Sequence, residues 1–488
     1  MTSAAEGGSL EELLGRRGRR LRHLVLLVAL GWVVGLAAFA LFREFPPQPG
    51  GVATNYRILY AAAAAVRDGA NPYHLAAIGA VEQMVYHYPA LRPAIAAFGD
   101  LPASARLMMP LSLLPFWLSY ALASALGVFL VILTLTLLAR DLGWRHTGVL
   151  AAAAILSWVG LLGFLAGQLD AVLFAALAGS MLLAWHERGL AAGLVLGVTL
   201  ITPTLLWPVP VFMFLALWPE RRRALHFAAG YLLAAAVLAG ASWSLLPSWW
   251  RALLAFGAGI GARRTDLASL PGLVAAAPSS WGLGRGVTAT PTLALIALAV
   301  VGMAVFGVWM MISPEWRRVS PVGRVTWAVA LPVGIWLLAS PYAHPNDDLL
   351  LLPLLMVTVG RDARRIHGLG LGLSAATLLL LLLVWPLGLV PWQVGVPILG
   401  GLGVAVWLGR TDLRLTGYGA GLCVLTLAVL PPIWGLHLLV VGLTPVAVLV
   451  LVVEGARTCW MEVGGAGTGP AYFEEPVGPG IAGSPSGA

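Results

Sequence analysis

The sequence predicts an all-α polytopic membrane protein, a helical bundle with about 12–14 membrane-crossing helices and two long outer loops. First, 59% of the residues are hydrophobic, 10% are charged and the mean hydropathy is +0.89. A water-soluble protein needs more charge than this to cover its surface. Second, apolar stretches without charge recur along the chain, and arginines cluster between them. Lipid is therefore the solvent for most of this surface.

The net charge of +8 comes from arginine, since none of the 29 basic residues is a lysine. These arginines lie at the ends of apolar stretches and form no stripe, so they indicate membrane topology and not nucleic-acid binding. Cys423 lies in an apolar stretch and Cys459 in a polar one, which predicts neither a disulfide nor a cysteine metal site.

The apolar stretches define the predicted spans. The first, residues 24–42, has no charge and no small-residue cleavage site after it, which predicts a signal anchor. Proline should divide the stretch 189–219 into two short helices that meet at Thr202-Pro203. The other predicted stretches are 107–139 (an interfacial lead-in and a span), 147–166, 171–185, 225–246, 290–312, 325–339, 349–359, and two that fold back on themselves, 368–409 and 415–453.

Arginine placement predicts the orientation. With the N-terminus inside, 20 of the 29 arginines fall in cytoplasmic segments, as the positive-inside rule requires. The other nine fall in the outer loops 43–106 and 247–289, which are long enough to be exempt. The predicted organisation is a basic cytoplasmic N-terminus (1–23), a membrane domain (24–453) and a disordered cytoplasmic tail (454–488), in a bacterial plasma membrane.

The first outer loop should contain two amphipathic helices, 55–66 and 75–86, separated by the turn Asp68-Gly69-Ala70-Asn71-Pro72. The span interiors are almost free of ionisable groups, which transporters and proton pumps usually keep inside the membrane. The polar residues gather instead on the predicted outer side. This pattern favours an enzyme that acts on lipid-linked substrates over a through-channel.

Several short motifs resemble glycosyltransferase family 87, within the GT-C class of membrane enzymes that use polyprenol-phosphate sugars. The resemblance runs from about residue 24 to 450. The motifs are Asn55-Tyr56-Arg57-Ile58-Leu59-Tyr60-Ala61 with Asn71-Pro72-Tyr73, Leu113-Leu114-Pro115-Phe116-Trp117, Gly167-Gln168-Leu169-Asp170, Gly193–Leu200 with Ile201-Thr202-Pro203, and Ser340-Pro341.

The resemblance implies a GT-C-like bundle that transfers a sugar, with mannose expected, from a polyprenyl-phosphate donor to a lipid or glycan acceptor at the outer membrane face. In such enzymes a carboxylate of the first outer loop removes the proton of the acceptor hydroxyl. Cationic or amide donors then stabilise the leaving phosphate. The implied partners are this donor, the acceptor and membrane lipids, with no nucleic acid.

The chain departs from the family at the expected base. Asn55 stands where the family has Asp, and Asp170 stands where it has Asn. One hypothesis is that both residues face one cavity and the carboxylate has moved across it. The alternative is that Asp170 only caps a helix starting at Ala171. Asp68 and Glu44 are other candidate bases, although an Asp-Gly pair such as Asp68-Gly69 is typical of a turn.

A second departure is Thr202, which replaces a lysine that usually contacts phosphate. Arg57, Arg263 and Arg264 are candidates to supply that charge, or they bind anionic headgroups. Tyr60 and Gln168 complete the predicted donor site. His344, Asn346 and Asp347 are candidates for binding acceptor hydroxyls, while Asp347 and Asp348 also suit a helix cap. No cofactor is predicted. A divalent metal at His344 and the two aspartates stays open, although no helical ligand spacing supports it.

Three functions remain open from the sequence. The favoured one is a glycosyltransferase. The second is a catalytically silent relative that binds lipid-linked glycans, because both the expected base and the lysine are replaced. The third is a lipid-glycan transporter, which would need polar groups through the spans, and the sequence has few of these.

Overall fold

The computed structural model describes the chain in segments, and its regular structure there is helical. The described residues are 54–86, 98–142, 163–164, 167, 169–260, 269–271, 289–341, 343, 345–365, 448–449, 451–453 and 455–463. The prediction of an all-α polytopic membrane protein is confirmed. The predicted spans 24–42 and 368–409, and most of 147–166 and 415–453, lie outside the described residues, so the number of spans stays a prediction.

The helices follow the predicted order. The first loop and the first complete span give α1 Thr54–Arg67, α2 Leu75–Tyr86, α3 Pro102–Ser112 and α4 Phe116–Asp141. The middle of the chain gives α5 Asp170–Trp185, α6 Gly189–Gly197, a 3-10 turn Val198–Ile201, α7 Pro203–Leu206, α8 Val209–Leu217, α9 Arg221–Leu245 and α10 Trp249–Ile260. The last part gives α11 Ala289–Ile312, α12 Pro314–Arg318, α13 Pro321–Ala339, a 3-10 segment Pro345–Leu351 and α14 Leu352–Arg365.

Four described helices are long and apolar enough to cross a membrane: Phe116–Asp141, Arg221–Leu245, Thr292–Ile312 and Pro321–Ala339. They differ in how much they bury. In α13, 89% of the span is buried against other described residues, compared with 17% in α9 and 22% in α11. α13 therefore lies at the centre of the described bundle. α9 and α11 are apolar enough to cross a membrane but bury little of their length, so they lie at the periphery of the bundle.

The predicted break at Thr202-Pro203 is confirmed. α6 tightens into the 3-10 turn Val198–Ile201, and α7 begins at Pro203. Proline has no backbone N–H and restricts the residue before it, so it suits the first position of a helix and ends the preceding one. The break is thus fixed by the sequence, and it places the Thr202 side chain at the end of a helix.

Glycines on α6 allow this helix to lie directly on the backbone of α9. A Cβ atom added to Gly189 would lie 2.7 Å from the Arg223 carbonyl oxygen, and one added to Gly193 would lie 2.7 Å from the Tyr231 nitrogen. The contacts advance along both helices in the same direction, so α6 and α9 are parallel. Small residues at such a spacing let membrane helices pack closely.

The two ends of the bundle differ in charge. One end, here the ionic end, joins the ends of α4 and α5 to the starts of α9 and α13. Arg223 pairs there with Glu187 and Glu220, and an Arg324 nitrogen lies 2.8 Å from a Glu220 oxygen. His186 Nε2 lies 3.0 Å from Asp141 Oδ2.

The opposite end, here the loop end, carries α1, α2 and α3. The Ala103 backbone N–H donates to Ser242 Oγ over 3.2 Å, which holds the start of α3 against the last turn of α9. The predicted lead-in and span at 107–139 correspond to α3 and α4, divided at Leu113–Pro115. The loop helices therefore lie on the ends of the spans.

The chain stays helical beyond the predicted boundary at residue 454. Residues 455–463 are helical, Cys459 is buried there, and the Trp327 indole N–H donates to Glu462 Oε2 over 2.8 Å. This differs from the predicted disordered tail, because apolar side chains interspersed in a polar segment suffice to attach it to α13. Residues 464–488 lie outside the described residues.

Candidate functional site

Helix α1 is the core of the loop end. It has the predicted bounds to within one residue, but it is not a surface helix: every residue from Tyr56 to Val66 is buried. The five alanines 61–65 give it a narrow surface, so α3 and α2 pack closely around it. The prediction of an amphipathic helix is therefore wrong for α1, because alanine is too weakly apolar to show on which sides a helix is covered.

Two tyrosines of α1 attach it to the start of α4. The Tyr60 hydroxyl donates to the Leu114 carbonyl over 2.8 Å, and the Tyr56 and Ser119 hydroxyls share a hydrogen bond. The Phe116 ring lies between them, with ring centroids 5.8 Å from Tyr56 and 5.3 Å from Tyr60. Burial raises the pKa of Tyr56 to about 12, so both phenols stay neutral at pH 7 and act as hydrogen-bonding anchors.

The motif that contains Gly167 and Asp170 lies against the first turn of α1. Gly167 has φ +68°, a conformation that glycine adopts without strain. A Cβ atom at this position would lie 3.1 Å from Tyr120 Cε2 and would collide with Tyr56. Leu169 packs against both the apolar cluster of α1 and the main core. The motif and the Asn55–Arg57 segment are therefore neighbours, as the hypothesis of a shared cavity requires.

Asp170 begins α5 at the edge of this contact. The helix starts at Asp170 itself, one residue earlier than predicted, and the cap position belongs to Leu169. Asp170 is 4% exposed, and a helix N-terminus favours a negative charge in the first turn. The prediction that Asp170 caps the helix is therefore wrong, since Asp170 is the first helical residue and Leu169 holds the cap position. The hypothesis of a displaced base stays open.

A carboxylate that the sequence did not point to faces the break in α6 and α7. The Thr202 hydroxyl donates to Asp100 Oδ1 over 2.9 Å. The Leu101 backbone N–H donates to the Ile201 carbonyl over 3.2 Å, and the Tyr73 hydroxyl donates to the Asp100 carbonyl over 2.7 Å. Burial raises the pKa of Asp100 to about 6, although the hydrogen bond from Thr202 opposes part of this shift.

Asp100 belongs to the same end of the molecule as α1. Phe98, two residues before it, lies in one apolar cluster with Ile58 and Leu59 of α1. No local signal in the sequence singles out Asp100, since it stands in a loop between Phe98-Gly99 and Leu101-Pro102. Its partner lies 102 residues away along the chain, so only the tertiary structure brings the two together.

The structure brings some of the predicted site residues together and separates others. Asn55, Arg57 and Tyr60 share α1, and Arg57 is 1% exposed. Asp68 lies beyond the other end of this helix, roughly 20 Å from Asn55 at 1.5 Å per residue. Its side chain is 57% exposed and pairs with Arg67 over 3.0 Å. Asp68 is therefore far from the Gly167–Asp170 motif and resembles a solvated turn residue.

The remaining predicted residues are only partly described. Asp347 is 2% exposed in the 3-10 segment Pro345–Leu351, and this segment packs against α5. Asn346 lies in the same segment, and its side chain lies outside the described part. Among the described residues no group of three or more His, Cys, Asp and Glu side chains could hold a metal ion. The predicted residues Glu44, Gln168, Arg263, Arg264 and His344 lie outside the described residues.

Comparison with known proteins gives one match. The family model of glycosyltransferase family 87 matches residues 102–341, about half of the chain. The match includes the start of α4, the Gly167–Asp170 motif, the Thr202-Pro203 break and Ser340-Pro341, whereas α1 precedes it. None of the curated proteins compared matches the chain. Residues 102–341 belong to glycosyltransferase family 87, and this membership indicates a membrane glycosyltransferase.

Proposed function

We propose that the protein transfers a sugar from a polyprenyl-phosphate donor to a lipid or glycan acceptor at the outer face of the plasma membrane, with mannose as the expected sugar. One observation supports this most: the motif segments that are far apart in sequence meet at the loop end. The Gly167–Asp170 motif contacts α1, and the Thr202 break contacts the residues before α3. A transfer to a hydroxyl requires a proton acceptor, and a carboxylate lies at each of these contacts.

The charges at the two ends support the proposed orientation. The ionic end carries Arg140, Arg223 and Arg324 close to the ends of apolar helices. Arginine beside a span favours the cytoplasmic side. The loop end would then face outward, where no nucleotide sugar is present and a lipid-linked donor must supply the activated sugar.

The proposed chemistry assigns roles to the site residues. An oxygen of the acceptor attacks the anomeric carbon, the bond from this carbon to the phosphate oxygen breaks, and the configuration inverts. A carboxylate, with Asp170 the sequence-based candidate, takes the hydroxyl proton. Arg57, with Gln168, Arg263 and Arg264, would stabilise the leaving phosphate. Asn346, Asp347 and His344 would hold the acceptor.

The direct test uses purified protein in vesicles of bacterial lipid extract. Labelled polyprenyl-phosphate-mannose is supplied in one reaction and a labelled nucleotide-mannose in another, and lipid and glycan products are separated. We expect transfer from the polyprenyl donor and none from the nucleotide sugar. Absence of transfer from polyprenyl phosphates carrying mannose, glucose or a pentose would contradict the proposal.

A silent relative that binds lipid-linked glycans is the second candidate, and Asn55 favours it, since an amide cannot accept the proton. The two candidates differ in turnover and not in binding. Binding of polyprenyl-phosphate-mannose to the purified protein without transfer would support the silent relative. An Asp170→Asn variant of an active protein that keeps full activity would remove Asp170 from the mechanism.

A further inference from the structure

Asp100 differs from the other described carboxylates of the loop end in its surroundings. Asp170 and Asp347 are 4% and 2% exposed, while the Asp68 side chain is 57% exposed and paired with Arg67. Asp100 is between these extremes: it is partly exposed and yet surrounded by enough protein to be desolvated. Of these four carboxylates, Asp100 alone combines partial solvent exposure with desolvation by the surrounding protein.

We propose that Asp100, and not the sequence-based candidate Asp170, accepts the proton of the acceptor hydroxyl. This inference rests on the proposed function and names its base. The proton of the acceptor O–H moves to the Asp100 carboxylate as the new bond from that oxygen to the anomeric carbon forms. The bond from this carbon to the phosphate oxygen breaks, and the polyprenyl phosphate leaves with the electron pair. The atoms and charges balance without a further reactant.

The geometry around Asp100 suits a fixed proton acceptor. Its backbone carbonyl accepts from Tyr73, the following N–H donates to Ile201, and one carboxylate oxygen accepts from Thr202. Within the described part of the chain, Thr202 is the donor to this carboxylate, and the hydrogen bond uses Oδ1. Oδ2 therefore stays available to a substrate hydroxyl.

Asp100 does not serve α3 as a cap. The cap position of α3 is Leu101, and no side-chain hydrogen bond closes that helix end. The described titratable group that faces Asp100 is the Tyr73 phenol, whose pKa burial and the Asp100 charge both raise, so it is neutral at pH 7. A base works best with a pKa near the working pH, and the pKa of about 6 for Asp100 satisfies this.

Such a role also accounts for Asn55. The resemblance to the family implies a carboxylate base in the first predicted outer loop, 43–106, and Asp100 lies near the other end of this same loop. With the base at Asp100, the reaction would not need a carboxylate on α1. Asn55 would then be free to act as a hydrogen-bond donor or acceptor for the substrates.

The rival explanation is that the Asp100–Thr202 hydrogen bond only holds the loop to the break. Two variants separate these roles. Asp100→Asn keeps an oxygen that accepts from Thr202 but removes the base, whereas Thr202→Val removes the hydrogen bond and keeps the carboxylate. Asp141→Asn, at the ionic end, is the matched control for loss of a carboxylate.

The experiment measures kcat and donor KM for transfer from labelled polyprenyl-phosphate-mannose in vesicles, with thermal unfolding of each variant. For a base, Asp100→Asn should lower kcat about 10²- to 10⁴-fold with donor KM and unfolding temperature near those of the wild type. Thr202→Val, assayed at its own optimal pH, should lose much less kcat than Asp100→Asn. Asp141→Asn should keep the activity of the wild type. If Asp100→Asn proves unstable, Asp100→Glu, which retains a carboxylate, should exceed it in kcat by roughly tenfold or more.

Three results, each with an active wild type, would overturn the inference and leave the proposed function intact. The first is an Asp100→Asn variant that keeps most of its kcat. The second is an equal loss of kcat in Asp100→Asn and Thr202→Val, and the third is equal activity of the Asn and Glu variants at position 100, since a hydrogen bond with a purely structural role predicts the last two. A wild type that transfers sugar from none of the polyprenyl donors would overturn the proposed function, and the assignment of Asp100 would fail with it.

Discussion

Replacing Gly193 with alanine tests the packing that positions the Thr202 break. The added Cβ would lie 2.7 Å from the Tyr231 nitrogen and 3.0 Å from the Phe227 carbonyl carbon, and would collide with the Phe227 carbonyl oxygen. These are backbone atoms of α9, so no side-chain rotation can relieve the overlap. To restore the 3.4 Å of an ordinary contact, α6 and α9 must separate.

The free-energy change is the difference of two effects. Overpacking of this kind costs about 1–3 kcal/mol. Because the atoms that the added Cβ would meet belong to the α9 backbone, we expect a cost at the upper end of this range. Alanine gains up to about 1 kcal/mol in intrinsic helix propensity. The expected net loss of stability is therefore about 2 kcal/mol, which should lower the unfolding temperature by about 2 °C in a chain of this length.

The matched control is Gly240→Ala on α9, because a Cβ atom there would meet nothing within 4 Å. It should leave the unfolding temperature unchanged or raise it. The assay follows the reaction of a thiol-reactive dye with the buried Cys459 during heating, in a Cys423→Ser background. Equal unfolding temperatures for Gly193→Ala and Gly240→Ala would refute the close packing of α6 on α9.

Three further predictions address the loop end. Thr202→Val removes a hydrogen bond that lowers the pKa of Asp100, so the acid limb of kcat/KM against pH should move to higher pH by roughly one unit. An acid limb that stays at the same pH would show that Asp100 is not the group that titrates there. Tyr56→Phe should cost about 0.5–1.5 kcal/mol in unfolding free energy, and in a double-mutant cycle with Ser119→Ala the two losses should not add. In a background without other reactive cysteines, a membrane-impermeant maleimide should label Asp68→Cys and not Arg222→Cys on intact cells, and the reverse pattern would invert the proposed orientation.

The sequence predicts the helices well because their ends carry strong signals. The turn at Asp68–Pro72 separates α1 from α2, and Pro203 starts α7 at the expected place, after the 3-10 turn that follows α6. Arginines mark the ionic end in the same way, since charges are costly inside a membrane. These signals are local, so one amino-acid sequence is enough to recognise them.

Burial on the loop end could not be predicted in the same way. The alanines of α1 are compatible with water, lipid or a packed core, and only the neighbouring helices decide which applies. Residues 455–463 present a similar case, since Cys459 and Val463 join the main apolar core and Glu462 accepts from Trp327, which is 135 residues away along the chain. Contacts between residues distant in sequence leave no periodic pattern in either segment.

The contact of Asp100 with Thr202 connects the two departures from the family in one physical argument. A lysine at position 202, as the family usually has, would place a cation beside the Asp100 carboxylate and lower its pKa. Threonine offers a neutral hydrogen bond instead, and burial then dominates and raises the pKa to about 6. A carboxylate held as an ion pair is a weak base, whereas one with a raised pKa removes a hydroxyl proton more readily. Threonine at position 202 therefore leaves Asp100 more basic than a lysine there would, and the proposed base at Asp100 would supply the carboxylate that Asn55 lacks. Thr202→Lys should accordingly lower kcat even if it strengthens donor binding, and an increase in both would contradict this coupling.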